Sequence, residues 1–187
     1  LSTGPGSNMP TSNMPLRAGK AWVYEGGIRS PLIISYPAGI KAGLEVSQPA
    51  VSTDIYPTLL DLAGIPLRPQ QHVDGLSLKP LLNGSKAALG RDAIYFHYPH
   101  YHHINTMGPA GAVRMGDYKL IEVFETDKVE LYNLRDDLSE QNDLAKQKPE
   151  LAAKMKKMLR DWRRHSGAAM TQINPEYKQV ENSAKKP

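Results

Sequence analysis

The chain has 187 residues, 40% of them hydrophobic, which suffices for one sizeable core or a core with a satellite. It has no cysteine, which excludes disulfides, thiolate metal sites and a cysteine nucleophile, and no apolar run approaches the roughly 18 residues that a membrane span needs. The net charge of +4 is uneven: residues 1–140 carry 12 basic and 14 acidic side chains, residues 141–187 carry 11 and 5.

A basic end of this kind can meet nucleic acid or an anionic surface. No zinc-finger, glycine-rich or helix-turn-helix pattern accompanies it. Lys154, Lys156, Lys157, Arg160, Arg163 and Arg164 are expected instead to decorate the wet side of an amphipathic helix. Leu1 to Gly6 lacks the basic start and apolar core of a signal peptide. For a piece of a longer protein that says nothing about secretion.

In chain order, residues 1–15 read as an irregular loop of Ser, Thr, Gly, Pro, Asn and Met. Leu32 to Tyr36 is apolar without alternation and stops at Pro37, the pattern of a strand buried on both faces. Thr53 to Leu62 predicts a helix, with Thr53 able to cap, Pro57 in the first turn, Ile55, Leu59 and Leu62 on one face, and Gly64 beyond its end. Residues 65–90 are mostly turns, anchored by Leu76, Leu78, Leu81 and Leu82.

The middle changes character. Ala93 to Tyr98, Ala112 to Arg114, Tyr118 to Phe124 and Val129 to Tyr132 predict a small antiparallel sheet, with turns at Met115-Gly116-Asp117 and at Glu125 to Lys128. Leu120, Glu122 and Phe124 alternate with Lys119, Ile121 and Val123, so one face is not cleanly apolar. Pro149 opens a helix to about Arg164, striped by Leu151, Met155, Met158, Leu159 and Trp162. Residues 166–187 lack periodicity, with Tyr177 as a candidate anchor.

Several segments carry a resemblance. Asn13-Met14-Pro15-Leu16-Arg17-Ala18-Gly19-Lys20 leads to Tyr24-Glu25-Gly26-Gly27-Ile28-Arg29 and the apolar run Leu32-Ile33-Ile34. This resembles the sulfatase stretch in which a lysine follows a Pro-Leu-Arg sequence. Thr53 to Asp61, Val73 to Leu78, Arg114 to Leu120 and Glu130 to Leu134 resemble later parts of that family, in family order.

The resemblance implies an α/β fold of the alkaline-phosphatase/sulfatase type. Residues 1–90 would be the C-terminal end of the large domain, 91–165 a small antiparallel-sheet plus helix subdomain, and 166–187 a tail. It also implies sulfate-ester hydrolysis, on aryl or carbohydrate substrates, in a periplasmic or extracellular setting.

The family's nucleophile is a Cys or Ser in a C/S-x-P-x-R motif, oxidised to formylglycine. The near match at Asn13 to Arg17 carries an amide, which cannot become that aldehyde. The family's calcium ligands, acidic pairs and an Asp-Asn, have no counterpart here, and Leu1-Ser2-Thr3 resembles the residues just after that Asp-Asn. The expectation is the C-terminal portion of an enzyme, inactive alone and a poor autonomous folder. Ca2+, formylglycine and the N-terminal part of the same enzyme would lie outside it.

Lys20 is the candidate catalytic residue. The matching lysine of the family reaches the sulfate, and a fixed ammonium stabilises charge building on ester oxygens. The rival reading is a solvated surface lysine. Arg17 and Arg29 are candidate substrate-binding residues, since a guanidinium fork suits an anion, but each equally suits a pair with Glu25, the loop's expected internal acceptor.

The run His97-Tyr98-Pro99-His100-Tyr101-His102-His103 offers His97, His100 and His102 as substrate-lining groups. A transition-metal site and a plain polar loop are its rivals. Asp117, Tyr118, Lys119 and Glu130 are expected to serve the turn and the sheet. Two other functions stay open: a phosphoester or phosphonate hydrolase of the same superfamily, and a non-catalytic module that grips sulfated glycan.

Overall fold

In a computed structural model the protein is described over residues 12–84, 88–172 and 174–176. Its centre is a four-stranded antiparallel meander of β1 (Ile94–Tyr98), β2 (Ala110–Met115), β3 (Tyr118–Val123) and β4 (Val129–Asn133), in that spatial order. All four strands lie where the alternation and turn residues predict them. A short helix α1 (Glu25–Ile28), a 3-10 turn at Ser52–Asp54, and helices α2 (Ile55–Leu62) and α3 (Lys79–Leu82) precede the sheet. The long helix α4 (Pro149–Ser166) follows it.

Both faces of the sheet are covered. Tyr95, Val113, Leu120 and Leu131 form one cross-strand row. Against Val113, Leu120 and Leu131 pack Ala152, Met155 and Leu159 of α4. Proline at the start of α4, Glu150 in its first turn, and Arg163, Arg164 and His165 in its last suit the missing donors and the helix dipole. Each large apolar side chain buried here is worth about 2 kcal/mol of transfer free energy. Trp162 extends the stripe by stacking on Tyr95, with ring centroids 5.1 Å apart.

The neighbouring row, Phe96, Ala112, Ile121 and Glu130, points the other way. There Ala112 and Ile121 join Val23, Tyr24, Ala110, Tyr132 and Leu134 in a second core. This core crosses the boundary expected near residue 90, because residues 18–24 cover the far face of the sheet. Double coverage explains why β3 lacks a clean face. Its two sides each meet protein, and each carries one buried charge, Lys119 on one and Glu122 on the other.

Three expectations are corrected. Leu32 to Tyr36 forms no strand, and Ile33 is 90% exposed. A strand buried on both faces needs a pairing strand beside it, and among the described residues none lies alongside. The helix at Thr53 to Leu62 exists, but Ile55 and Leu59 face outward while Pro57 and Thr58 are buried. Leu32, Ile33, Tyr36, Ile65 and Val73 are exposed as well. Arg163 does not lie on a wet helix face. It is buried, with Nη2 donating to Glu122 at 2.6 Å and its guanidinium over the Phe124 ring.

Leu78 and Leu81 are buried anchors, as the turn-rich stretch requires. Nearby, Asp54 is fully buried and receives a two-pronged ion pair from Arg91, with the backbone N–H groups of Val51 and Leu76 donating to its carboxylate. Tyr177 lies outside the described residues. No described helix is long and apolar enough to cross a membrane.

Candidate functional site

The site is built on the turn that carries Lys20. Trp22 N–H donates to Gly19 C=O at 3.1 Å, closing a β-turn with Lys20 and Ala21 at its centre. Ala21 has φ 75°, the conformation that a type II turn requires of its third residue and normally gives to glycine. Ala18, two residues before Lys20, is also left-handed, at φ 59°. Two such alanines cost on the order of 1 kcal/mol each, and such geometry persists only where the surroundings impose it.

The surroundings are specific. Gly26 N–H donates to Arg17 C=O at 2.8 Å. A Cβ on Gly26 would meet the Arg17 and Ala18 carbonyl oxygens at 2.4 Å, and one on Gly27 would meet the Trp22 oxygen at 2.1 Å. Only glycine therefore allows α1 to lie on the turn. Asn13 Nδ2 donates to the carbonyls of Gly26 at 3.0 Å and Ala18 at 3.3 Å. Its amide is a fastener of the turn, which is what occupies the position of the near-match nucleophile motif. Lys20 itself is exposed at the tip.

Two buried polar networks bolt this unit to the sheet. In the first, Lys119 Nζ lies 2.9 Å from Glu25 Oε1 and 2.8 Å from Glu140 Oε1, with no exposure of the lysine at all. Glu140 Oε2 accepts from Glu25 N–H at 2.7 Å. Burial, and the second carboxylate of Glu25, push the Glu140 carboxyl above its usual range despite the lysine.

In the second, Tyr24 and Tyr132 both donate to Glu130 Oε2, at 2.7 and 2.9 Å, and Lys128 Nζ reaches Oε1 at 2.7 Å. Burial opposes the charge on Glu130, yet Lys128 and the two phenols hold its carboxyl below the usual range. Burial and that carboxylate push both phenols up.

The candidate residues fall into two groups. Arg17 is half-buried. Its Nη1 donates to Tyr132 Oη at 3.0 Å and to Glu140 C=O at 2.6 Å, and its guanidinium lies 3.8 Å over the Tyr24 ring. Arg29 is exposed, 3.7 Å from Glu25 Oε2. With Lys20 they share one compact unit.

His97 lies on the α4 face of the sheet. Its Nε2 donates to Ala169 C=O at 2.6 Å and its ring sits beside Phe124 and Trp162. His100 is exposed against Tyr98, and His102 stacks on His103 at 4.3 Å. This loop is joined to the Lys20 turn by Asn105, whose Nδ2 donates to Ala21 C=O at 2.8 Å.

The sequence reading missed Asn105, Tyr132 and Glu140. For Glu140 no local pattern exists, since it lies in an irregular stretch after β4. For Lys119 a signal was present in the broken alternation of β3.

The described residues do not suit calcium. Each buried acid already has a cation: Glu25 and Glu140 share Lys119, Asp54 has Arg91, Glu130 has Lys128, and Glu122 has Arg160 and Arg163. No group of three or more potential metal ligands occurs among them.

The family model of the N-sulphoglucosamine sulphohydrolase C-terminal domain matches residues 18–165. A sulfatase of Formosa agariphila is 36% identical over 167 residues, covering 82% of this chain and 30% of the relative. An N-acetylglucosamine-6-O-sulfatase of Bacteroides thetaiotaomicron is 36% identical over 143 residues, covering 75% and 25%. The structure of Ps i-CgsB, in complex with k-i-k-neocarrahexaose, superposes with a TM-score of 0.67 at 30% identity, over 81% of this chain and 32% of that one. The chain thus spans at most about a third of the length of these relatives.

Proposed function

The chain belongs to the sulfatase family, and from that premise we propose that it forms the C-terminal part of an enzyme that hydrolyses sulfate esters, with Lys20 on the sulfate. One observation carries this reading. Lys20 projects from a turn whose backbone is held left-handed on both sides of it, inside the stretch that matches the family.

The chemistry follows from the geometry. Breaking a sulfate ester puts negative charge on oxygen. An ammonium on a backbone that is already fixed stabilises that charge without reorganising. Arg29, His100 and His102 are proposed to meet the rest of the substrate, a sulfated carbohydrate or an aryl sulfate. Arg17, held through Nη1, and His97, held through Nε2, are proposed to act by position. Sulfatases generally use formylglycine and calcium. Since the described residues fit neither, both are assigned to the N-terminal part of the same enzyme.

That part is also the proposed cover for exposed apolar side chains such as Ile33 and Leu59, with 1–90 as the end of the large domain, 91–165 as the small subdomain and 166–187 as the tail. A periplasmic or extracellular setting accompanies this reading.

The test is Lys20→Ala in the intact enzyme, assayed on aryl sulfate and on sulfated glucosamine. A loss of about 100- to 1000-fold in kcat is expected, at unchanged melting temperature because Lys20 is exposed. The chain without the remainder of the enzyme should show no turnover. Wild-type kcat in the variant removes Lys20 from the chemistry. Preferential turnover of phosphate esters replaces the sulfatase by a phosphoester hydrolase. Binding of sulfated glycan without turnover by the intact protein leaves a binding module.

A further inference from the structure

We propose that Asn105 is a positioning residue for Lys20. By holding the strained residue that follows Lys20, it couples the His/Tyr loop to the ammonium. This rests on the reading of Lys20 given above.

Asn105 is 7% exposed and uses its whole amide. Nδ2 donates to Ala21 C=O at 2.8 Å and to Gly108 C=O at 3.2 Å, while Oδ1 accepts from Met107 N–H at 2.8 Å. Two carbonyls on one side and an N–H on the other fix which end is nitrogen. Its backbone N–H donates to His102 C=O at 2.9 Å. One residue thus ties the loop bearing His100 and His102 to the Ala21–Trp22 peptide, one residue beyond Lys20.

The peptide it grips is the one that needs gripping. Ala21 holds φ 75° without being glycine, and a free alanine would leave that region for the β or right-handed α basin. Movement into the β basin would open the turn by rotating the Ala21–Trp22 peptide, and Lys20 would lose its fixed base. The bond from Trp22 N–H to Gly19 C=O holds one end of that peptide. The bond from Asn105 to Ala21 C=O holds the other end of the same peptide. It also means that a substrate displacing the loop strains the Lys20 turn, and one that seats the loop stabilises it.

The experiment uses the intact enzyme in four forms: wild type, Asn105→Ala, Ala21→Gly, and the double variant. Asn105→Ala should lower kcat by about 10- to 100-fold with KM changed far less, the effect of a small misplacement of a catalytic group. Adding Ala21→Gly should restore most of that loss, because glycine holds positive φ without help. A purely architectural role for Asn105 gives no such rescue.

Wild-type kcat in Asn105→Ala overturns the proposal, and so does a double variant as slow as the single one. If Asn105→Ala melts too early to assay, Asn105→Ser takes its place. That side chain keeps a partner for Met107 N–H, as such short hydroxyls do two residues on, but is too short to hold Ala21 C=O. Lys20→Ala, run alongside, separates the two ideas. If it is fully active the reading of Lys20 fails. If it is slow while Asn105→Ala is fast, only the positioning role fails.

Discussion

The two faces of the sheet solve one problem by different means. On one face, an 18-residue amphipathic helix lays Ala152, Met155 and Leu159 on Val113, Leu120 and Leu131. The charge there, Glu122, is met by Arg160 and Arg163 from the same helix. On the other, a turn-rich segment without periodicity covers Ala112 and Ile121 with Val23 and Tyr24. There Lys119 is closed off between Glu25 and Glu140, carboxylates supplied by two different segments. The first face is held by area. The second is held by specific polar geometry, and it is the second that carries Lys20. A turn proposed to act in catalysis needs one position, not merely a buried one, and hydrogen-bonded pairs define position where greasy contact tolerates sliding.

The sharpest way to break this comparison is Lys119→Met. Volume and burial are kept, but two buried carboxylates lose their cation. Removing one partner of a buried pair costs about 3–5 kcal/mol. Urea denaturation should show a loss of that size, and hydrogen exchange should show protection falling at residues 17–28 before α4. A loss near zero would mean that the face holding Lys20 also rests on area.

The matching change on the helix face is Met155→Ala, at a fully buried position. It should cost somewhat less, about 3 kcal/mol, from lost transfer energy and the cavity left behind. Here protection should fall first along α4, with the Lys20 turn intact. Equal loosening of both segments would show that the two faces form one cooperative unit.

The same contrast decides what was legible in the sequence. The stripe through Met155 and Leu159 has helical spacing, and Pro149 marks its start, so α4 could be read from adjacent residues alone. The four strands were equally local. Lys119 was visible only as a flaw in the alternation of β3. Its partner Glu25 lies 94 residues before it and 115 before the second partner, Glu140. No spacing rule reaches that far.

Leu32 to Tyr36 failed for the complementary reason. Its apolar composition is right for a strand, but a strand is a property of a pair, and no described neighbour supplies the second member. Lys20 was found through family likeness. Its turn, with alanines where glycine is expected, could not have been read from propensity, because the surroundings and not the residues impose the conformation.

The smallest effect tests the polar face against itself. Glu130 and Glu140 both belong to it, and both start from an ordinary value of 4.5. Glu130 is held below that value by Lys128 and two phenols, although burial opposes it. Its contribution is present above about pH 4.5 and is lost as pH falls through the lowered value. Glu140 is raised, by burial first and by the nearby Glu25 carboxylate as well. Its contribution is complete below 4.5 and is lost as pH rises through the raised value.

Urea unfolding of wild type, Glu130→Gln and Glu140→Gln between pH 3 and 8 should therefore give differences from wild type that change on opposite sides of 4.5. Each slope stays under about 1.4 kcal/mol per pH unit, the ceiling for one proton. If the Glu140→Gln difference instead grows with pH in wild type's favour, Lys119 outweighs burial at Glu140. The network would then be an ordinary ion pair with one acid to spare, rather than two acids contending for a single buried ammonium.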